Sequence, residues 1–251
     1  MRFVGDKIGV VAACDQETAE RAARLVEVEY EELPFSIGFD DTLAGKNCLD
    51  GETPVRDEYE LDVGEKQGNA EGLIEVCSTM ELPRLHHATM ETHACIADYD
   101  PYSDMLTVYC PNQAVHGIRT VLADFLEMPE SHVRVVKATM GGSFGAKQEW
   151  FLEPVTALVA KKLCRPVKLV YSRGEAMTDT IVRGAMRMSA RGYYMPDGEM
   201  KEIYCDVTLD AGAYIGNAGD YVRALAGKPT RCYRIPYMHY HGQAVSYTHL
   251  R

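Results

Sequence analysis

The sequence predicts an α+β fold in which mixed sheets pack against helices. Residues 8–30 show an apolar run, then a helix with one apolar face, then an alternation of apolar and polar residues. Further along the chain, Pro196-Asp197-Gly198 separates two strand candidates and is a strong hairpin signal. The strand, helix, strand order at one end and the hairpin at the other place the chain among α+β proteins.

Residues 1–44 are expected to form the first unit. A strand over 8–13 precedes a helix that Asp15 caps, because a carboxylate there accepts hydrogen bonds from the first turn's N–H groups. Alternation over 26–30 predicts a second strand. Residues 45–70 are polar and rich in glycine and charge, which is typical of a linker between domains.

A second unit is expected to cover residues 71–245. One helix is predicted to start at Gln113, and another is predicted over 150–163, where Pro154 is tolerable only near the first turn. The strands predicted in this unit cover residues 73–79, 94–99, 105–110, 133–138, 167–171, 188–194 and 200–209.

Composition and charge narrow the function class. The 251 residues are 46% hydrophobic and 25% charged, which is ordinary for a globular protein. A net charge of −11 without a basic block argues against nucleic acid as a partner. No apolar run approaches the roughly 20 residues that cross a bilayer, and the N-terminus lacks an export signal pattern. We therefore expect neither a nucleic-acid nor a membrane partner.

The eight cysteines are scattered along the chain, and none forms a Cys-x-x-Cys pair. This spacing gives no support to zinc or iron–sulfur ligation within these residues. Small buried thiols in a reducing compartment are the favoured interpretation, which predicts a cytoplasmic protein.

The most informative stretch is Gly-Gly-Ser-Phe-Gly-Ala-Lys at residues 141–147, which we call the glycine loop. Its glycines let the backbone turn tightly and approach a ligand closely. Where such a loop opens a helix, its N–H groups favour an anion, phosphate above all. Gln148 replaces the Ser or Thr of a P-loop, and Met140 replaces the first glycine of a dinucleotide fingerprint, so both interpretations fail. A purely structural turn between strand and helix remains open.

Four side chains upstream of the loop, His86, His87, Glu91 and His93, are candidate metal ligands by their spacing alone. The stretch lacks the His-Glu-x-x-His helix signature of zinc enzymes. A structural role is therefore the favoured interpretation for these residues.

The glycine loop resembles the Gly-Gly-Gly-Phe-Gly-Gly-Lys loop of the xanthine dehydrogenase and aldehyde oxidase family of molybdenum hydroxylases. Residues 87–93 are similar to its His-Ala-Pro-Met-Glu segment, and Gln113 resembles the glutamine of its Thr-Gln pair, with Asn112 replacing the threonine. Further similarities, in the family's order, lie at residues 165–169, 172–175 and 210–214.

The resemblance implies a fragment of a molybdenum-cofactor-binding catalytic subunit. Residues 1–44 would be the C-terminal part of a hammerhead domain, and 71–245 the N-terminal part of a molybdopterin-binding domain. Iron–sulfur clusters and FAD would lie on partner subunits. Residues 246–251, where the resemblance stops, are expected to be a tail foreign to the protein.

The resemblance also assigns roles to single residues. Cofactor binding is implied for Gln113, Gly141, Gly142, Ser143, Phe144 and Gly145, with Gln113 and Phe144 beside the molybdenum without ligating it. An amide suits this place because it donates to an oxo group without adding charge. The histidines and Glu91 would line the approach to the cofactor. A glutamate base is expected beyond residue 251, so these 251 residues alone are expected to be inactive.

Gln148 and Gln243 are the substrate candidates. They stand where purine-hydroxylating eukaryotic members of the family carry Glu and, approximately, Arg. Neutral amides still hydrogen-bond a purine edge. The expected reaction is oxidation of a purine or related N-heterocycle with water as the oxygen source. An aldehyde oxidoreductase of the same family is the alternative, and a non-catalytic nucleotide-binding or assembly module is a third.

Overall fold

The computed structural model describes residues 1–36, 39–44, 46, 53–66 and 72–246. The helices in this part are α1 (Gln16–Ala23), α2 (Phe39–Leu43), α3 (Val115–Phe125), α4 (Glu153–Leu163), α5 (Arg173–Asp179), α6 (Ala218–Ala226) and α7 (Lys228–Cys232). The strands are β1 (Val55–Gly64), β2 (Ile74–Leu82), β3 (Ala94–Asp100), β4 (Met105–Cys110), β5 (Val133–Lys137), β6 (Val167–Val170), β7 (Met186–Tyr194), β8 (Met200–Gly212) and β9 (Tyr237–Ser246). None of these described helices is both long and apolar enough to cross a membrane.

The chain divides into two compact units. The first comprises mainly residues 3–32 and 86–182, and the second mainly residues 33–85 and 183–251. This division differs from the predicted boundary at residue 71, because β2 pairs along its length with β7 and so belongs with the later strands. Each unit contains its own sheet with both parallel and antiparallel pairs, which confirms the predicted α+β class with mixed sheets.

The N-terminal segment confirms one prediction and contradicts two. α1 begins after Asp15, whose carboxylate accepts a hydrogen bond from the Thr18 N–H at 2.8 Å, as predicted. Residues 8–13 and 26–30 were expected to be strands, but in the described structure they form neither strand nor helix. A strand exists only where a neighbour takes up its N–H and C=O groups, and apolar patterning alone does not supply one.

The first unit contains a four-stranded sheet in the order β5-β4-β3-β6. β4 and β5 are parallel, whereas β3 pairs antiparallel with both β4 and β6. α3 and α4 pack against this sheet, and the core between them includes the fully buried Leu106, Val108, Ile118 and Leu122. Pro154 falls in the first turn of α4, where it removes no helical hydrogen bond, as predicted.

The second unit contains a five-stranded sheet in the order β1-β9-β8-β7-β2. β8 and β9 are parallel, and the other neighbours are antiparallel. α6 packs on one face, where Val222, Val207, Met238 and Tyr240 form the centre of a second core. The hydroxyl of the buried Tyr240 donates to the Val222 carbonyl at 2.8 Å and ties the helix to β9.

β1 corrects the predicted linker, because residues 55–64 form an edge strand paired antiparallel with β9. The acidic residues at 58, 60 and 62 alternate with Tyr59, Leu61 and Val63, which pack against the second core. Charge was the signal for a linker, but alternation of period two is the stronger signal of a half-buried strand. Residues 45, 47–52 and 67–70 of the predicted linker lie outside the described residues.

The two ends of the second sheet bear on two further predictions. The predicted hairpin between β7 and β8 is confirmed, with Gly198 at φ +91° and its N–H bonded to the Met195 carbonyl at 2.9 Å. β9 includes Ser246, which is buried and pairs with Gly212, so the expected boundary after Val245 falls one residue early. Residues 247–251 of the predicted tail lie outside the described residues.

Candidate functional site

The glycine loop and Gln113 leave the first sheet at the same edge. β4 and β5 are parallel neighbours with Cys110 opposite Lys137, so the segments that follow them start side by side. Two backbone hydrogen bonds join these segments: Ala138 N–H donates to the Cys110 carbonyl at 3.1 Å, and Gln113 N–H donates to the Lys147 carbonyl at 2.8 Å. Sheet topology therefore brings Gln113 to the loop.

The side chain of Gln113 binds the loop directly. Its Oε1 accepts hydrogen bonds from the Gly145 N–H at 3.2 Å and from the Ser143 hydroxyl. Ser143 Oγ in turn accepts from the Lys147 N–H at 3.2 Å. The Gly145 N–H requires an acceptor, which fixes the orientation of the amide. The NH₂ group of Gln113 is then left as a donor without a partner among the described residues.

The loop backbone has an unusual conformation. Gly142, Phe144 and Gly145 have φ angles of +98°, +54° and +102°, all in the left-handed region. The Ala146 N–H donates to the Ser143 carbonyl at 2.8 Å and closes the turn. Glycine suits the first and third positions because a side chain there would be strained. Within the described part of the chain, the N–H groups of Gly142 and Ser143 have no acceptor.

An ion pair lies behind the loop. Lys147, whose side chain is 1% exposed, places its ammonium 2.5 Å from Glu91 Oε2. The same oxygen accepts from the Gly141 N–H at 2.9 Å, and the Glu91 N–H donates to the Gly141 carbonyl at 3.2 Å. Partial burial by itself would raise the pKa of Glu91, but the hydrogen bonds from Lys147 and Gly141 outweigh it and hold that pKa below its ordinary value. Glu91 is therefore ionised at neutral pH.

His93 is a third residue whose side chain hydrogen-bonds the glycine loop. Its Nε2 lies 3.0 Å from the Ala146 carbonyl, which accepts only if Nε2 carries the proton. Burial lowers the pKa of His93, partly offset by this hydrogen bond, so the ring is neutral. Its edge packs against Phe151 with ring centroids 5.6 Å apart. Among the described residues no group of three or more His, Cys, Asp or Glu side chains is arranged to hold a metal ion. This geometry supports the structural interpretation of the segment.

Two of the seven described cysteines fit the interpretation of small buried thiols, whereas Cys14, Cys77, Cys164 and Cys232 are exposed and do not. Cys95 and Cys110 are buried in the first core. Burial raises the pKa of Cys110 to about 12 and raises the pKa of Cys95 as well, so both stay protonated. A protonated thiol in an apolar core is a poor metal ligand.

The six predicted cofactor residues come together, but on an open surface. Phe144 is 69% exposed, and Gln113 is also exposed. A cavity of about 740 Å³ lies elsewhere in the first unit, between residues 5–23 and the α4 and β6 elements, and its lining includes no residue of the glycine loop. That these residues line a cofactor pocket stays a prediction.

The two substrate candidates fall in different units. Gln148 is exposed directly after the loop, and its N–H donates to the Gly145 carbonyl at 3.3 Å. Gln243 lies on β9 and is half-buried, with its Nε2 donating to the Thr208 hydroxyl at 2.9 Å. A joint role for these two amides stays a prediction.

Asn112 is a structural residue that the sequence alone did not reveal. It is buried, its Oδ1 accepts from the Ala114 N–H at 2.7 Å, and its Nδ2 donates to the Glu149 carbonyl at 3.0 Å. The side chain that accepts a hydrogen bond from the backbone just before α3 is therefore that of Asn112, whereas the side chain of Gln113 binds the glycine loop. A residue of the Asx type just before an apolar helical pattern was the available signal.

Comparison with protein families gives two matches along the chain. The model of the molybdopterin cofactor-binding domain matches residues 55–250. The model of the aldehyde oxidase and xanthine dehydrogenase a/b hammerhead domain matches residues 1–34. The first match begins at β1, in agreement with the corrected boundary of the predicted linker.

Curated relatives and solved structures agree with these matches. The chain is 31% identical over 243 residues to the xanthine dehydrogenase molybdenum-binding subunit of Escherichia coli, covering 93% of this chain and 31% of that protein. It is 32% identical over 234 residues to the carbon monoxide dehydrogenase large chain of Hydrogenophaga pseudoflava, covering 85% and 29%.

The fold is similar to that of the aldehyde oxidoreductase from Desulfovibrio gigas, with a TM-score of 0.83 and 23% identity over 94% of this chain and 26% of that one. The chain therefore spans about a third of the length of the two curated relatives described above.

Proposed function

Because this chain belongs to the molybdenum hydroxylase family and carries its molybdopterin cofactor-binding domain, we propose that Gln113 and the glycine loop hold a molybdopterin–molybdenum cofactor. The observation that carries this proposal is the hydrogen bonding of Gln113. Its oxygen is used by the loop, and its NH₂ group is left as a donor.

The groups at the loop fit an oxygen-rich, anionic cofactor. The Gln113 NH₂ and the backbone N–H groups of Gly142 and Ser143 are donors that lack acceptors within the described residues. Successive N–H groups around a left-handed residue form a concavity that favours anions. The nearest carboxylate bonded to the loop, Glu91, is neutralised by Lys147. When bound, the cofactor supplies the redox-active metal, and these residues orient it without changing its charge.

A nucleotide-binding role fits the loop less well. A phosphate-binding loop leads directly into a helix whose N-terminus faces the anion. Here the glycine loop ends at Lys147 and α4 begins only at Glu153, with a segment without helical structure between them. The loop therefore has no helix N-terminus to offer a phosphate group. A non-catalytic assembly module would need no donor left over for a ligand at Gln113.

For the whole protein, we propose the molybdenum-binding catalytic subunit of a hydroxylase whose electrons leave through iron–sulfur clusters and FAD on partner subunits. The absence of a Cys-x-x-Cys pair in the sequence supports the placement of clusters outside these residues. The reaction is oxidation of a substrate with oxygen from water, in a cytoplasmic enzyme.

We favour a purine or related N-heterocycle as the substrate. Gln148 is exposed beside the loop, and an amide offers both a donor and an acceptor to a heterocycle edge. One relative belongs to a xanthine dehydrogenase, whereas another is a carbon monoxide dehydrogenase chain, so the family spans several substrates. Turnover of aldehydes but not of hypoxanthine by the holoenzyme would reverse this choice.

Substitution of Gln113 tests the proposed site. In the holoenzyme, Gln113→Ala should lower kcat about 10²-fold, the usual effect of removing one preorganised donor at a reacting centre. Gln16→Ala, which removes an exposed glutamine of α1, is the control and should leave kcat unchanged. Molybdenum and pterin are measured per subunit in both variants. Wild-type enzyme that purifies without molybdenum would contradict the proposal. Full turnover by the Gln113→Ala variant would contradict it as well.

A further inference from the structure

The Glu91–Lys147 pair places a buried charge at the glycine loop, which carries a desolvation cost. Lys147 is among the largest fully buried side chains, and its ammonium has Glu91 as its acceptor. Taking a charge out of water costs free energy that the partner only partly returns. Replacing a buried ion pair by well-packed apolar residues of similar volume is often neutral or stabilising for the folded state. Stability alone therefore does not account for the pair.

The pair acts on one peptide of the loop. Glu91 Oε2 accepts from both the Lys147 ammonium and the Gly141 N–H, and the Glu91 N–H donates to the Gly141 carbonyl. Both polar groups of Gly141 are thereby engaged by one residue. A Cβ on Gly141 would lie 2.7 Å from the Glu91 Cβ, so this approach is open only to glycine.

Glu91 is itself held in place from two sides. The Thr89 hydroxyl donates to the Glu91 carbonyl at 2.7 Å. Arg173, the first residue of α5, donates through Nη2 to the Met90 carbonyl at 2.7 Å. The carboxylate that fixes Gly141 is therefore mounted on a segment tied to a helix of the same unit. Strain-free movement of the loop start would require all of these bonds to break.

We propose that Glu91 and Lys147 are positioning residues for the cofactor: they fix Gly141 so that the next two N–H groups, those of Gly142 and Ser143, are directed at the ligand. This inference rests on the proposed function. The Gly141 N–H donates to Glu91, whereas the N–H groups of Gly142 and Ser143 stay available to a ligand. Lys147 cancels the charge of Glu91, which would otherwise repel an anionic cofactor.

Two double variants of the holoenzyme separate positioning from simple stabilisation. Glu91→Gln/Lys147→Met removes both charges but keeps an amide oxygen that accepts from the Gly141 N–H. Glu91→Leu/Lys147→Met removes both charges and the acceptor. The two differ only in whether the Gly141 N–H has a side-chain acceptor. Glu130→Gln, which breaks the exposed ion pair with Arg119, controls for the loss of an ion pair elsewhere in the unit.

The first readout is amide hydrogen exchange in cofactor-free protein. Peptides covering residues 141–145 should exchange about tenfold faster in the Leu/Met variant than in the Gln/Met variant, while the rest of the first unit stays alike. The second is the electron paramagnetic resonance signal of Mo(V) in the loaded protein. Its g-values should shift in the Leu/Met variant and match wild type in the Gln/Met variant.

Equal behaviour of the two double variants, whether both match wild type or both lose the cofactor, would overturn the proposal. Thr89→Val, which removes the hydroxyl that supports Glu91, answers the question if a double variant does not fold. It should change loop exchange and the Mo(V) signal in the same direction, and wild-type values for both would overturn the proposal. Wild-type holoenzyme that holds no molybdenum would refute the proposed function itself, a result distinct from these.

Discussion

His241 shows how one side chain on β9 makes the second unit sensitive to pH. Its Nε2 lies 2.8 Å from Glu58 Oε1 on β1, and its Nδ1 lies 3.5 Å from Asp206 Oδ1 on β8. The hydrogen bond to Glu58, with help from Asp206, raises the pKa of His241 above its ordinary value of 6.5. Protonated His241 thus ties the edge strand β1 to the sheet.

A raised pKa in the folded state makes the sign of the pH effect definite. The stabilisation by His241 is fully present below its unfolded pKa of about 6.5 and is lost as pH rises through the higher folded pKa. His241→Gln should therefore flatten the fall in unfolding free energy across about pH 6 to 8. Urea denaturation at several pH values measures this. His116→Gln, at an exposed histidine, should keep the wild-type slope, and an unchanged slope in His241→Gln would show that the pair is not formed.

At the scale of single residues, sequence reasoning identified the proposed cofactor residues better than the residues that support them. Gln113 and the loop glycines were identifiable because their types and order resemble a family pattern. The pairing of Glu91 with Lys147 was not predicted, because it joins residues 56 positions apart in sequence. Such a contact depends on how β3, β4 and β5 align, and no local pattern encodes that alignment.

At the scale of elements, the predicted strands are confirmed where the segment with the strand pattern pairs with another segment of the chain. β3, β4, β7 and β8 lie where alternation and turn residues placed them. β1 was missed because its acidic face resembled a linker. The segments 8–13 and 26–30 carried strand patterns but pair with nothing in the described residues. Strand pairing depends on tertiary contacts. The sequence pattern alone therefore predicts some strands that do not pair and misses others that do.

The hairpin between β7 and β8 gives a prediction for a single element. Gly198 has φ +91° and empty space around its Cβ position, so Gly198→Ala meets strain but no clash. It should lower the free energy of unfolding by about 1 kcal/mol, because a side chain disfavours the left-handed region. Gly227 lies at φ −84° with equally empty space, so Gly227→Ala should instead stabilise by about 0.4–1 kcal/mol. Urea denaturation of the 251-residue chain compares the two, and an equal effect of both changes would refute the strain argument.

At the scale of the whole molecule, the glycine loop lies in one unit and the candidate substrate residue Gln243 lies in the other. The predicted single domain over 71–245 did not anticipate this division. Its cause is topological: the chain forms β2, leaves to build the first unit, and returns to add β7 beside β2. Sequence patterns identify elements in order, whereas the return of the chain to an earlier strand is set by pairing across more than 100 residues.

The last prediction concerns what these 251 residues do by themselves. A hydroxylase of this family is expected to need a carboxylate base whose pKa lies near the operating pH. The carboxylate bonded to the glycine loop is Glu91, and its hydrogen bonds to Lys147 and Gly141 hold its pKa below the ordinary value. Both donors bind Oε2 and stabilise the ionised form, so Glu91 is unsuited to take up a proton from a reacting group. We therefore expect the chain alone to lack a base.

Without a base, general-base catalysis loses a factor of roughly 10² to 10⁴. Residues 1–251 supplied with cofactor should show no xanthine-dependent dye reduction above the Gln113→Ala background, whatever molybdenum they retain. The measurement pairs metal analysis with steady-state dye reduction on the same preparation. Stoichiometric molybdenum together with steady turnover would place a working base inside this chain. Glu149→Gln and Glu153→Gln would then be the first variants to locate it, because these carboxylates follow the loop most closely in sequence.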